Sequence, residues 1–287
     1  MALHTSPLPT NFTPSTNDLS PTDADALTLS QEYKIDFRSC IGSLIYLTLT
    51  RTDILFAVNK LAKFAHRPGK IYFDALVHLL RYLRDNTFWG LKFYSDYSTS
   101  PLFNILTNNN LPTTSFFITL CDSSWNDDVD HGRSTGCFLI FYMGGIIDHS
   151  SNLPDPIALS SAEAEYNQAC LAIMATTHVH MILQDLEQQL DKTSLPLPIL
   201  LDSKSAIAIG TSFRDTKHTR HILRRYHYVR DAFTTQRFTP HWISQKFQLA
   251  DIGTKNLGGP RHNFLLQRCL IPIANDIQPL RSVQEGW

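Results

Sequence analysis

The pattern of apolar and polar positions divides the chain into stretches of different character. Residues 1–32 begin MALHTSPLPTNFTPSTNDLSPTDADALTLS, rich in Pro, Ser, Thr and Asn with no sustained period. Such a segment has too little apolar surface to offset its ordering entropy, and a disordered leader is expected. From Asp36 the spacing turns helical: FRSCIGSLIYLTLT, then TDILFAVNKLAKFAHRPG with Thr52 as N-cap and a Pro-Gly stop, then IYFDALVHLLRYLRDNT. This predicts a small helical segment over residues 33–95, ending in the strand-like GLKFYS. Residues 96–115, DYSTSPLFNILTNNNLPTTS, are crowded with Asn, Ser, Thr and Pro and read as a linker.

The rhythm changes at Phe116. FFITLCD predicts a short buried strand, GCFLIFYMGG a second with a glycine turn, and GGIID the opening of a third. A long helix follows from Ser160 to about Leu190. LPLPILLDSKSAIAIG predicts strand then helix, TKHTRHILRRYHYVRDAFTT a helix, RFTPHWIS a strand, and QLADIGTKNLGG a closing helix with a Gly-Gly end. Strands first, then helices alternating with strands, predict an α/β domain over residues 116–275: a mixed sheet covered by helices, with a tail at 276–287.

Composition narrows the function. At 287 residues the chain has room for two structured units. A formal net charge of -1 argues against a wholesale polycation, although a local basic patch fits within it. The five cysteines are scattered with no C-x-x-C pair, so neither a zinc site nor a disulfide framework is indicated. No apolar run approaches the roughly 18–20 residues that span a bilayer, and no basic-then-apolar leader is present. An intracellular, cytoplasmic or nuclear, unexported protein without membrane partners is expected.

Three aspartates stand where apolar segments give way: Asp122 after FFITLC, Asp202 after LPILL and Asp251 in QLADIGTK. Singly, each is an ordinary turn former or N-cap. Joined by a glutamate of the long helix, they make a cluster of carboxylates that repel one another unless a cation neutralises them. Oxygen-only ligands suit Mg²⁺, with Mn²⁺ as substitute, and two ions about 4 Å apart assist phosphodiester cleavage without a protein nucleophile.

The helix offers two glutamates, Glu163 and Glu165, which point about 200° apart. From Glu165, steps of four and three run through Ala169, Ala172, Thr176, Val179 and Leu183, the stripe expected to pack on the sheet. From Glu163 they run through Asn167, Cys170, Met174, Thr177 and Met181, the wetter side. Glu163 also falls three residues after Ser160, the spacing of a capping box. Glu165 is therefore the expected ligand and Glu163 the helix starter.

The segments CDSSWNDDVDHGRSTGCFLIFYMGG, LSSAEAEYNQA, LLDSKSAIAI, TKHTRHILRRYHYVRD and QLADIGTK resemble, in order and spacing, the ribonuclease H domain of copia-type retrotransposon Pol polyproteins. FRSCIGSLIYLTLTRTDILFAVNKLAKFAHRPGKIYFDALVHLLRYLRDN is similar to the C-terminal part of the reverse transcriptase in the same polyproteins. The resemblance spans about residues 33 to 270. It implies a five-stranded mixed sheet with flanking helices, two Mg²⁺ ions on Asp122, Glu165, Asp202 and Asp251, and hydrolysis of the RNA strand of an RNA/DNA hybrid. The rest of a Pol polyprotein is the implied partner. RSTGC is one residue shorter than the family form, and IIDHSSNLPDPIA lacks the family's tryptophan and lysines. Both put the register and packing of the second and third strands at issue.

Arg214, Lys217, Arg220, Arg224, Arg225 and Arg230, opposed only by Asp215, predict a helix that tracks phosphates without reading sequence. Ser123, Ser124 and Ser203, next to acids, are candidates for contact with a 2'-hydroxyl. The acids Asp127, Asp128 and Asp130 read as a solvated turn, and Trp125 and Trp242 as core or edge packing. No paired aspartates suited to a polymerase palm occur in residues 33–95, so polymerase activity is not expected. An integrase or transposase would order its acids Asp, Asp, Glu, whereas the order here is Asp, Glu, Asp, Asp. The remaining alternative is a catalytically inactive remnant acting as a binding or structural module.

Overall fold

The computed structural model describes residues 4–153, 157–186, 196–212 and 223–273. Its centre is a five-stranded mixed sheet built from β2 (Phe117–Ser124), β3 (Thr135–Tyr142), β4 (Gly145–Asn152), β5 (Leu197–Leu201) and β6 (Phe238–Trp242). The order across the sheet is β4-β3-β2-β5-β6, with β2, β3 and β4 antiparallel and β5 and β6 parallel to β2. This is the ribonuclease H-like fold expected from the sequence. β2 lies in the middle because it is apolar on both faces. Its Ile118 and Leu120 join one core, and its Phe117 and Cys121 join the other.

The second of these cores is closed by α6 (Ser161–Leu186), α7 (Lys204–Thr211) and α8 (Leu223–Thr234). Ala169 and Ala172 let α6 approach the sheet, and Thr176 bonds Thr119 at 2.8 Å. The division of α6 into dry and wet stripes holds only beyond its first turns. Asn167 and Cys170, expected on the wetter side, are buried, because α7 and α8 cover that flank as well.

The shortened RSTGC leaves β2 and β3 in continuous register from Phe117↔Tyr142 to Ser124↔Thr135. The irregularity falls one strand further on, where a bulge between Ile140 and Phe141 sets Ile147 of β4 out of the pairing. The third strand forms over its full eight residues despite the absent tryptophan.

Other expectations are corrected as well. The leader is ordered from residue 4: it holds α1 (Asp23–Tyr33), and its Leu8 and Phe12 are buried among α2 (Phe37–Leu47), α3 (Leu55–Ala62) and α4 (Lys70–Asp85). A few apolar anchors without period are enough, since each buried side chain of this size contributes about 1.5–3 kcal/mol. The linker contains α5 (Pro101–Asn108), capped by Ser100, whose Leu102, Ile105 and Leu106 pack under the sheet. The closing helix is two pieces. Leu249–Gly253 is a single stretch of 3-10 helix, and Gly258 begins α9 (Gly259–Cys269), with Pro260 in its first turn, where proline's missing N–H costs nothing. The chain then returns as β7 (Ile271–Pro272) to pair with β1 (Trp89–Gly90). The 276–287 tail lies outside the described residues.

Polar contacts join the helical segment to the sheet. Lys60 pairs with Asp127 at 2.6 Å, and Lys63 pairs with Asp128 and, at 3.0 Å, with Asp130. Asp130 also accepts the Ser15 hydroxyl at 3.1 Å and the Thr16 N–H at 2.9 Å. The acidic turn is thus a clamp, not a solvated loop. Deeper in, Arg51 forms a two-pronged pair with Asp53 at 2.8 and 2.7 Å, Tyr82 donates to Asp53 at 2.6 Å, and His262 of α9 lies 3.1 Å from the Asp53 carbonyl. No helix among the described residues is long and apolar enough to cross a membrane.

Candidate active site

β2 and β5 run parallel and side by side, so the residues that follow their apolar cores emerge at the same sheet edge. β2 delivers Asp122 and β5 leads into Asp202. The start of α6 delivers Glu165 to the same place. One carboxylate oxygen from each of Asp122, Glu165 and Asp202 lies within 4.8 Å of the others. Asp122 and Glu165 are buried, and Asp202 is half-buried.

Each carboxylate is positioned by its neighbours. The Thr254 hydroxyl donates to Asp122 Oδ2. The Ser123 N–H donates to Glu165 Oε1 at 3.3 Å, while Oε2 is buried with no hydrogen-bond partner among the described residues. Trp242 Nε1 donates to the Asp202 carbonyl at 3.0 Å. Glu163 faces the helix start instead. Ser160 Oγ accepts the Glu163 N–H at 3.2 Å, and Glu163 Oε2 accepts the Leu159 N–H at 2.9 Å. Its carboxylate thus reaches one residue further back than a standard capping box.

Burial pushes Glu165 up to about 9, and the neighbouring Asp122 and Asp202 charges add to the rise. Asp122 is pushed up to about 6, again by burial, with Lys255 opposing. Asp202 is raised for the same first reason. Of the three, Glu165 is the one raised above neutral pH, so it holds a proton there until a cation replaces it. The donor set is oxygen only, which fits a hard divalent cation, and Glu165 Oε2 has no other partner to give up among the described residues.

Asp251 does not join the three. Lys255 pairs with its Oδ1, and Arg261 with its Oδ2 at 2.7 Å. Lys255 reaches across to Asp122 Oδ2 at 3.3 Å, so Asp251 meets the cluster through an ammonium group. Burial works against the charge on Lys255, yet Asp122 and Asp251 outweigh it and hold its pKa well above the usual lysine range. The buried Gln248 ties this turn to β2 by donating to the Cys121 carbonyl at 2.9 Å and accepting from Ala250 at 3.3 Å. Gln248, Thr254 and Lys255 lie in the QLADIGTK segment, of which the sequence singles out Asp251 alone, and Arg261 lies outside every segment it marks. Lys255, one helical turn after Asp251, is the one its spacing could have revealed.

Of the substrate candidates, Ser123 lies beside Glu165, and its Oγ is buried with no partner among the described residues. Ser203 spends its hydroxyl capping α7, accepting the Ala206 N–H at 3.2 Å. Lys217 and Arg220 lie outside the described residues, as does Arg214, and of Arg224 only the backbone in α8 is described. Arg225 has a buried Nη1, so it is turned partly inward rather than wholly toward solvent. Trp125 and Trp242 are half-exposed at the sheet edge, and Lys204 stands 4.6 Å over the Trp242 ring.

No family model matches the chain. It is similar to the retrovirus-related Pol polyprotein from transposon TNT 1-94 of Nicotiana tabacum, 30% identical over 83% of this chain and 16% of that protein. It is also similar to the one from transposon RE2 of Arabidopsis thaliana, 28% identical over 77% of this chain and 14% of that protein. The chain therefore spans about one sixth of the length of these relatives. Among solved structures, the N-terminal RNase H domain of a Mycobacterium tuberculosis protein aligns with a TM-score of 0.37 at 12% identity, covering 54% of this chain and 98% of that one.

Proposed function

We propose that this chain, a homologue of the retrovirus-related Pol polyproteins of copia-type transposons, is a divalent-cation-dependent ribonuclease H that hydrolyses the RNA strand of an RNA/DNA hybrid. The observation that carries this reading is the meeting of Asp122, Glu165 and Asp202 at one edge of the sheet, with oxygens within 4.8 Å.

Asp122, Glu165 and Asp202 would hold Mg²⁺ or Mn²⁺, which supplies an activated water and offsets charge on the departing 3'-oxygen. The protein's part is to keep the carboxylates in place before substrate arrives. Thr254 fixes the rotation of Asp122, the Ser123 N–H fixes that of Glu165, and Trp242 holds the backbone of Asp202. Lys204 and Trp242 at the adjoining edge give the hybrid backbone a cationic approach. The hybrid, the ion and an intracellular setting belong to this reading, as does action beside the rest of a Pol polyprotein.

The test is incubation of the full chain with a labelled hybrid in Mg²⁺ and in Mn²⁺. Cleavage of the RNA strand that disappears in Asp122→Asn supports the reading. A folded chain that leaves the hybrid intact in both ions is an inactive remnant.

A further inference from the structure

We propose that Lys255 stands in for the second cation of the centre, so that the chain binds one divalent ion at Asp122, Glu165 and Asp202 and serves the Asp122–Asp251 side with a tethered ammonium. This rests on the reading of the cluster as a metal centre and specifies its composition.

Lys255 Nζ lies between two acids, pairing with Asp251 Oδ1 and lying 3.3 Å from Asp122 Oδ2. Its position is set by the backbone as well as by its flexible stem. The Lys255 N–H donates to the Asp251 carbonyl at 3.1 Å, closing a turn that places the side chains of residues 251 and 255 on one side. Thr254 anchors the same turn to Asp122. The other oxygen of Asp251 is held by Arg261, which also donates from Nη1 to the Lys246 carbonyl at 2.5 Å and from Nη2 to the Gln245 carbonyl at 2.8 Å. Both oxygens of Asp251 therefore face fixed cations, unlike Oε2 of Glu165, which has no partner among the described residues.

Charge balance agrees. Lys255 and Arg261 offset half of the negative charge that the four carboxylates carry when ionised, and one divalent ion meets the remainder. A second divalent ion between Asp122 and Asp251 would have to approach the Lys255 ammonium closely, against Coulomb repulsion in a half-buried site. Where Lys255 is removed, Asp251 Oδ1 loses its cation and Asp122 Oδ2 keeps the Thr254 hydroxyl alone, while Arg261 still holds Oδ2 of Asp251.

The experiment counts Mn²⁺ ions on the full chain by calorimetry and electron paramagnetic resonance, without substrate. The unmutated chain is expected to bind one ion, Lys255→Ala a second, and Lys255→Arg one, with circular dichroism confirming that each variant is folded. Two ions on the unmutated chain overturn the proposal while leaving the metal-centre reading intact. A single ion on folded Lys255→Ala also overturns it. No ion on any of the three overturns both the proposal and the reading beneath it. Should Lys255→Ala fail to fold, the count on the unmutated chain and the magnetic signature of coupled ions, expected to be absent, still decide.

Discussion

Glu163 and Glu165 leave the same turn of α6 for different partners, Glu163 reaching back to the Leu159 N–H at 2.9 Å and Glu165 out to the Ser123 N–H at 3.3 Å. One carboxylate closes the helix start, and the other crosses to the sheet edge.

Exchange of the two should separate folding from chemistry. Glu163→Ala is expected to cost about 1 kcal/mol in denaturant unfolding, with hybrid cleavage retained. Glu165→Gln should unfold no more easily than the parent. Its cleavage should fall by about 100-fold or more, since loss of even an outer-shell partner costs about 10–100-fold in metal affinity or activity. The reverse pattern in these two variants would overturn the assignment.

The raised carboxyl groups fix the direction of the pH dependence. A group that binds its proton more tightly folded than unfolded lends stability below its unfolded pKa and loses it as pH rises through its folded value. For Glu165 that window runs from 4.5 to about 9, and for Asp122 from 3.8 to about 6. The ion-free chain should therefore lose stability as pH rises through these windows, and Glu165→Gln should flatten the upper part. Mn²⁺ binding should release protons and strengthen with pH, which calorimetry in buffers of different ionisation heat will measure.

The Arg51–Asp53 pair lies almost wholly inside the molecule. Asp53→Ala leaves the guanidinium uncompensated and strands the Tyr82 hydroxyl, at an expected cost of about 3–5 kcal/mol in unfolding free energy. A cost under about 1 kcal/mol would mean that the pair is hydrated in solution.

Leu8 tests the leader. It is 2% exposed, and Leu8→Ala should destabilise the chain by about 2–5 kcal/mol, the range for buried leucines. Deletion of residues 1–32 should expose the helical core and promote aggregation, seen by light scattering. A leader without structural function would leave both measurements unchanged.

The centre of the sheet is legible in the sequence because β2, β3 and β5 are apolar runs bounded by turn residues, while β4 and β6 at its edges mix polar residues in; Asp122, Asp202 and Glu165 are legible because strand ends and helix starts mark where polar groups gather. What stays hidden depends on distant partners. Leu8 and Phe12 have no period, since they plug gaps between helices rather than lining one face. Asp127, Asp128 and Asp130 read as solvated because Lys60 and Lys63, their counterions, lie more than sixty residues away. Asp251 stands at the margin of the cluster rather than within it, because an acid and a lysine one turn apart satisfy each other before either meets an ion.

The pairing of β1 with β7, and the bond from Asn256 to the Pro9 carbonyl at 2.8 Å, bring the two ends of the described chain together. Contacts of such long sequence separation make folding slow, because loop closure must precede the gain from packing. During synthesis the N-terminal helices emerge with Leu8 and Phe12 in place, but they must wait for residues up to 272 before this closure forms. A ribosome that stops before α9 releases a chain whose buried Asp53 lacks His262 above it, which makes such truncated products natural targets for proteolysis.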